Sequence, residues 1–220
     1  MTKDTIANIM SIESMSYKSL KEVNLMSETK RQIQKKITRK HLVEIAIKQF
    51  GENGIITTRT ADIAKAAKVS HGTVFAHFST QEELLISVIE EFGNRITQRI
   101  HELVNINSTL FEVLDAHITG LIEFEPFYTR LIIERRLLPE SVSNTYIIIQ
   151  STISFHISIA AEKEIEQGTI KEIPIHLIYN TWIGLIHYYI TNSDLFSPNG
   201  YVLKKYRNEL LQHYMNLIKK

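Results

Sequence analysis

Residues 58–85 read TRTADIAKAAKVSHGTVFAHFSTQEELL, and the way this stretch punctuates itself decides the fold. Residues 59–67 place Ile63, Ala64 and Ala67 on one helical face. Lys68-Val69-Ser70 then breaks the pattern. Ser70 is a residue type that caps a new helix, here from His71 to His77. Thr80 with Glu83 three residues later is a capping box that opens a long helix through about Val104, apolar at Leu84, Leu85, Val88, Ile89, Phe92, Ile96 and Ile100. Two short helices joined by a tight turn and flanked by long ones have the pattern of a helix-turn-helix. In such a pair the first helix braces against a DNA backbone and the second enters the major groove. Ala64 and Ala67 are small enough to let the two helices approach, and Val69 can plug the core from the turn.

Upstream, Thr29 and Gln32 form another capping-box pattern, followed by Ile33, Ile37, Leu42, Ile45, Ala46 and Phe50 near helical spacing. Asn53-Gly54 supplies the stop. The polar face of this helix carries Arg31, Lys35, Lys36, Arg39 and Lys40. Downstream, helices are expected over about 108–124, 127–137, 141–167, 174–191 and 201–218, with Pro126, Pro139, Pro174 and Pro198 at the joints and Gly168 as a stop. No alternating strand pattern and no internal repeat is visible, so the chain reads as all-α: a three-helix helix-turn-helix head on a larger helical body. Residues 1–28 carry only a loose stripe of Ile9, Ile12, Leu20 and Val23 and read as an extension. The expected division is 1–28 extension, 29–80 head, and 81–220 body for ligand binding and dimerisation.

Composition narrows the function classes. The 220 residues are 44% hydrophobic and 22% charged, with only eight Gly and four Pro, which disfavours a turn-rich β fold or a disordered chain. With no Cys, disulfide scaffolds, zinc fingers, iron–sulfur sites and thiol catalysis are excluded. No apolar run approaches the roughly 18–20 residues a bilayer requires. No basic start precedes a purely apolar stretch, so neither a membrane partner nor a signal peptide is expected and the expected location is cytoplasmic. The net charge of +1 conceals an asymmetry: residues 29–80 carry ten Lys/Arg against three Asp/Glu, whereas 81–220 carry twelve against seventeen. A basic module on an acidic one fits a polyanion-binding head, or equally a solvated basic helix face. No nucleophile–base set, phosphate-binding glycine loop or metal-ligand spacing such as His-x-x-x-His is present, so neither enzymatic activity nor a metal or cofactor is expected.

The stretch from Thr58 to Leu85, together with Phe50-x-x-x-Gly54, resembles the signature of the tetracycline-repressor (TetR) family of transcriptional regulators. The shared features are a threonine-rich entry, Ile63-Ala64, Val69-Ser70, the Gly72-Thr73-aromatic recognition helix, His77-Phe78 and Glu82-Glu83-Leu84. Three positions depart from the pattern: Lys68 for the usual turn glycine, Phe75 for a usual tyrosine, and Gln81 for a usual lysine. The resemblance implies DNA contacts from Arg59, Thr60, Lys68, Ser70, His71, Gly72, Thr73, Phe75 and His77. Several have a plainer alternative: Thr60 and Ser70 as helix caps, Gly72 as a permissive position, Phe75 as core packing, His77 as a helix-end hydrogen bond. Between His71 and His77 there is no Arg for guanine and no Asn or Gln for adenine, so sequence preference would rest on His71, Thr73, methyl contacts and DNA shape.

For the body the resemblance implies a small-molecule inducer pocket, placed among Phe124, Tyr128, Phe155, Tyr179 and Trp182, with His117, His156, His187, Arg130, Glu134 and Arg135 as polar groups on the same helices. Ordinary packing is the alternative for each aromatic. Residues 174–191 are apolar nearly all round, and Leu203, Tyr206, Leu210, Tyr214 and Leu217 form a stripe on the last helix. One body offers too few partners for both, so a homodimer through residues 174–218 is expected. The expected function is a ligand-responsive DNA-binding transcriptional regulator, more often a repressor, on a palindromic double-stranded operator. The competing expectation is an architectural DNA-binding protein without a ligand.

Overall fold

The computed structural model describes residues 29–105, 107–198 and 200–220, so the expected extension over 1–28 lies outside the described residues. The chain divides into two units, Met1–His41 and Leu42–Lys220. In the first, Thr29 opens helix α1 (Lys30–Asn53) through the expected capping box: its N–H donates to Gln32 Oε1 at 2.8 Å, and Gln32 N–H donates to Thr29 Oγ1 at 3.4 Å. Ile33 and Ile37, expected on an apolar face, are exposed, because no other described element of their unit covers them.

The second unit begins where α1 acquires a core, with Leu42, Val43, Ala46 and Phe50 buried. Helices α2 (Thr60–Ala66), α3 (His71–His77) and α4 (Gln81–Leu103) follow, each within a residue or two of its expected span. Thr80 caps α4 as anticipated, accepting from Glu83 N–H at 3.0 Å. The body continues with α5 (Leu110–Glu123), α6 (Glu125–Glu134), a 3₁₀ turn (Arg135–Leu137), α7 (Glu140–Glu166), α8 (Ile175–Thr191), a short α9 (Ser193–Phe196) and α10 (Val202–Ile218). The all-α reading holds, and among the described residues the β pairing is one isolated antiparallel bridge, Ile170 to Lys219. Sequence periodicity did not anticipate α9, which is a single turn.

In the body α4 packs on α5 and α7, α5 on α10, and α8 on α7 and α10. Two glycines set the spacing. A Cβ at Gly93 of α4 would lie 2.5 Å from Ile149 of α7, and one at Gly120 of α5 would lie 3.1 Å from Ile96 of α4. The start of α10 is held from a distance in sequence. The buried Glu125 carboxylate accepts from Val202 N–H at 2.5 Å and Leu203 N–H at 3.0 Å, satisfying donors that a helix start leaves open. Burial raises the Glu125 pKa against those hydrogen bonds, which favour the charged form.

Candidate nucleic-acid interface

The two short helices are too small to fix their mutual angle by apolar contact alone, and polar bonds at their ends do it. Arg59 is the N-cap of α2, its N–H donating to the Asp62 carboxylate at 2.9 Å. Thr60 therefore does not cap. It is buried, and its Oγ1 shares a 2.9 Å hydrogen bond with Nε2 of His71, tying the start of α2 to the start of α3. Ser70 does cap α3, accepting from Thr73 N–H at 3.1 Å and meeting the Thr73 hydroxyl at 2.8 Å. Val74 and Phe78 face the core. Gln81, which takes the place of a lysine, turns its amide inward and donates to the Thr58 carbonyl at 3.0 Å, so it braces the head to α4.

What is left facing outward is a compact surface. Arg59, Lys68, Ser70, His71 and Gly72 are exposed, Thr73 and His77 are partly covered, and Phe75 is 46% exposed, so core packing is not its role. His71 and Phe75 lie one turn apart with ring centroids 4.8 Å apart, edge to face. Lys68 has φ +56°, and among the described residues no other non-glycine has positive φ. The turn thus keeps the geometry a glycine favours and adds a cation at its apex.

Further contacts tie the segments around this surface to the body or hold the start of α4, and they have no signature in the spacing of residues. The Glu134 carboxylate at the end of α6 accepts from Ile56 N–H at 2.8 Å. A Cβ at Gly51 would lie 2.9 Å from the backbone nitrogen of Phe127, so α1 and the start of α6 touch through main chain. The Ser141 hydroxyl donates to the Glu82 carboxylate, joining the starts of α7 and α4.

Among the expected ligand contacts, Phe124 and Tyr128 meet through Phe92 of α4, with ring centroids 5.7 and 5.3 Å from it. Tyr128 Oη shares a hydrogen bond of 2.8 Å with His187 Nε2, and Tyr179 donates its hydroxyl proton to Gln150 Oε1. Trp182 is fully buried, donating to His117 Nδ1 at 3.1 Å and lying 5.3 Å from the Tyr214 ring. Phe155 stands apart from the buried aromatics and is 57% exposed. The histidines feel this interior. Burial, with a smaller contribution from His187, pushes the His117 pKa down to about 3; burial, helped by the Arg135 guanidinium, pushes His187 down to about 4. Among the described residues no helix is long and apolar enough to cross a membrane.

Residues 42–88 match the family described as bacterial regulatory proteins, tetR family. An HTH-type transcriptional repressor of Mycobacterium tuberculosis is 37% identical over 60 residues, which is 27% of this chain and 32% of that protein, so the match spans about a third of the relative's length. A TetR-family transcriptional regulator from Agrobacterium tumefaciens has the same fold, with a TM-score of 0.71 at 16% identity over 84% of this chain and all of that one. So does the regulator FadR of Bacillus subtilis, solved in complex with stearoyl-CoA, with a TM-score of 0.63 at 21% identity over 80% of this chain and 96% of that one. The sequence match to the tetR family of bacterial regulatory proteins thus covers the helix-turn-helix, residues 42–88, and the fold likeness runs on through the body.

Proposed function

We propose that this chain is a ligand-responsive transcriptional regulator, in the repressing sense, that binds a near-palindromic DNA duplex as a homodimer. The observation that carries the DNA half is the outward face of α3: its inner side chains are buried, its angle is fixed by the Thr60–His71 bond, and Lys68 stands at the apex of the turn. Arg59, Lys68 and Ser70 are the phosphate contacts in this reading. His71, Gly72, Thr73 and Phe75 lie toward the base edges, with His77 at the far end of the helix. Because His71 spends Nε2 on Thr60, its remaining contact to DNA comes through the rest of the ring.

The dimer reading is narrower than the sequence suggested. Ile178, Trp182, Ile186 and Ile190 of α8, and Leu203, Leu210, Leu211, Tyr214 and Ile218 of α10, are buried within one protomer. The stripe left for a partner is Leu177, Thr181, Gly184 and Tyr188, one uncharged face of α8, together with Leu217 of α10. Two-fold pairing of that face sets two heads on two half-sites. For the ligand half, FadR shows a regulator of this fold in complex with an acyl-CoA. In this chain Tyr128 lies on the same helix as Glu134, which grips Ile56, and against Phe92 on α4. A molecule displacing Tyr128 therefore acts on the head through two helices, and coupling of this kind changes affinity by about 5–150-fold, equally in both directions.

Selection of bound duplexes from a random pool tests the proposal. Two-fold-symmetric sites should be enriched, and their affinity should fall steeply between low and physiological salt as counterions are released. A pool with no symmetric site, or an affinity indifferent to salt, overturns it.

A further inference from the structure

His117 of α5 has no solvent exposure, and the Trp182 indole N–H donates to its Nδ1 at 3.1 Å. An indole N–H only donates, so Nδ1 presents its lone pair there and the one proton of the neutral ring sits on Nε2. That N–H is enclosed in the body and has no hydrogen-bond acceptor among the described residues. Buried donors are paired as a rule, and an unpaired one marks the place of a missing partner. The neighbouring groups have their own partners. Tyr128 Oη is engaged with His187, Tyr179 Oη with Gln150, and Tyr214 Oη with the Ile178 carbonyl. The Arg135 guanidinium acts on His187 and lies over the Tyr146 ring, 6.0 Å from its centroid.

We infer that the body takes a largely apolar molecule whose carbonyl oxygen accepts a hydrogen bond from His117 Nε2. The inference rests on the ligand-responsive reading and gives that site its chemistry. A cation is disfavoured because, among the described residues, no carboxylate acts on either histidine, and Arg135 and the neutral imidazoles offer it no counter-charge. A hydrocarbon alone would fill space but leave the donor unpaired. Trp182, which holds His117 in this tautomer, is a positioning residue.

Cyclohexanone and methylenecyclohexane have the same shape, and only the ketone carries an acceptor. Their affinities for the full-length protein, measured by calorimetry, are compared between the wild type and His117→Phe, with His117→Gln retaining an N–H donor. The ketone-to-alkene affinity ratio should fall about tenfold in His117→Phe and recover in part in His117→Gln. The His117 Nε2 proton should also shift in the NMR spectrum of the wild type as cyclohexanone is added. Where His117→Phe does not fold, the proton shift decides alone. An unchanged ratio, or a Nε2 proton that ignores the ketone up to its solubility, overturns the inference and leaves a bound water as the partner. Duplex binding is measured in the same samples. A protein that binds duplex but ignores the ketone removes this inference and leaves the regulator standing, whereas one that never binds duplex removes the regulator, and the ketone ratio still decides the chemistry of the site.

Discussion

In the head, α2 and α3 have seven residues each and meet through one polar bond, Thr60 to His71; in the body, α4 and α7 have 23 and 27 residues and meet where Gly93 leaves room for Ile149. A seven-residue helix buries too little apolar area to hold itself, so caps and end-to-end hydrogen bonds carry it. A long helix buries a whole face and is positioned by the shape of what it meets. The head's determinants are therefore local in sequence and the body's are not. The two regions also differ in where they place ionisable groups: the head leaves them exposed or partly covered, whereas the body buries His117 and Glu125.

That last difference sets the largest effect. In the folded body His117 and His187 have pKa values of about 3 and about 4, against 6.5 for a free imidazole. Below pH 6.5 the unfolded chain binds protons that the folded chain refuses, so stability is full above that pH and falls as the solution is acidified toward the folded values. The slope is about 1.4 kcal/mol per pH unit for each histidine. Urea unfolding from pH 7 to about 5, above the range where ordinary carboxylates titrate, should show this loss. His117→Phe should remove about half of the slope. A stability indifferent to pH over that interval would place both rings in water and dissolve the contrast with the head.

Glu125→Ala is expected next in size. It strips two buried N–H groups at the start of α10 of their acceptor and should cost about 3 kcal/mol in urea unfolding. Because Glu125 touches neither α2 nor α3, duplex affinity of the folded fraction should not change; a large change would mean that head and body are less separable than their contacts suggest. Gly93→Ala follows at about 1–2 kcal/mol, since Ile149 must yield to the new methyl group.

The same contrast explains what could be read in advance. Every helix boundary that rests on a local signal was legible, with Ser70 and Thr80 as caps and the prolines at the joints. The bond from Thr60 to His71 was hidden, because it depends on where α3 lies in space. The burial of Trp182 within one protomer was equally hidden. A helix apolar all round needs cover, but periodicity does not say whether α10 or a second chain provides it. Glu134, Glu125 and the unpaired nitrogen of His117 depend on contacts about 60–80 residues apart, for which a single sequence carries no periodic signal.

The smallest effect sharpens the comparison most, because it should move stability and DNA binding in opposite directions. At φ +56° the Lys68 side chain is strained against its own backbone, at a cost of roughly 1 kcal/mol that glycine avoids. Lys68→Gly should therefore raise the unfolding free energy, by somewhat less than that amount because glycine also loosens the unfolded chain. If Lys68 reaches a phosphate, the same substitution should weaken binding about equally to every duplex and lower the slope of log affinity against log salt by about 1. A stability gain without any change in salt slope would leave Lys68 as a tolerated turn residue and pass its share of phosphate contact to Arg59 and Ser70. A loss confined to one duplex sequence would mean that the lysine reads a base edge, and the turn would belong to the specificity surface along with α3.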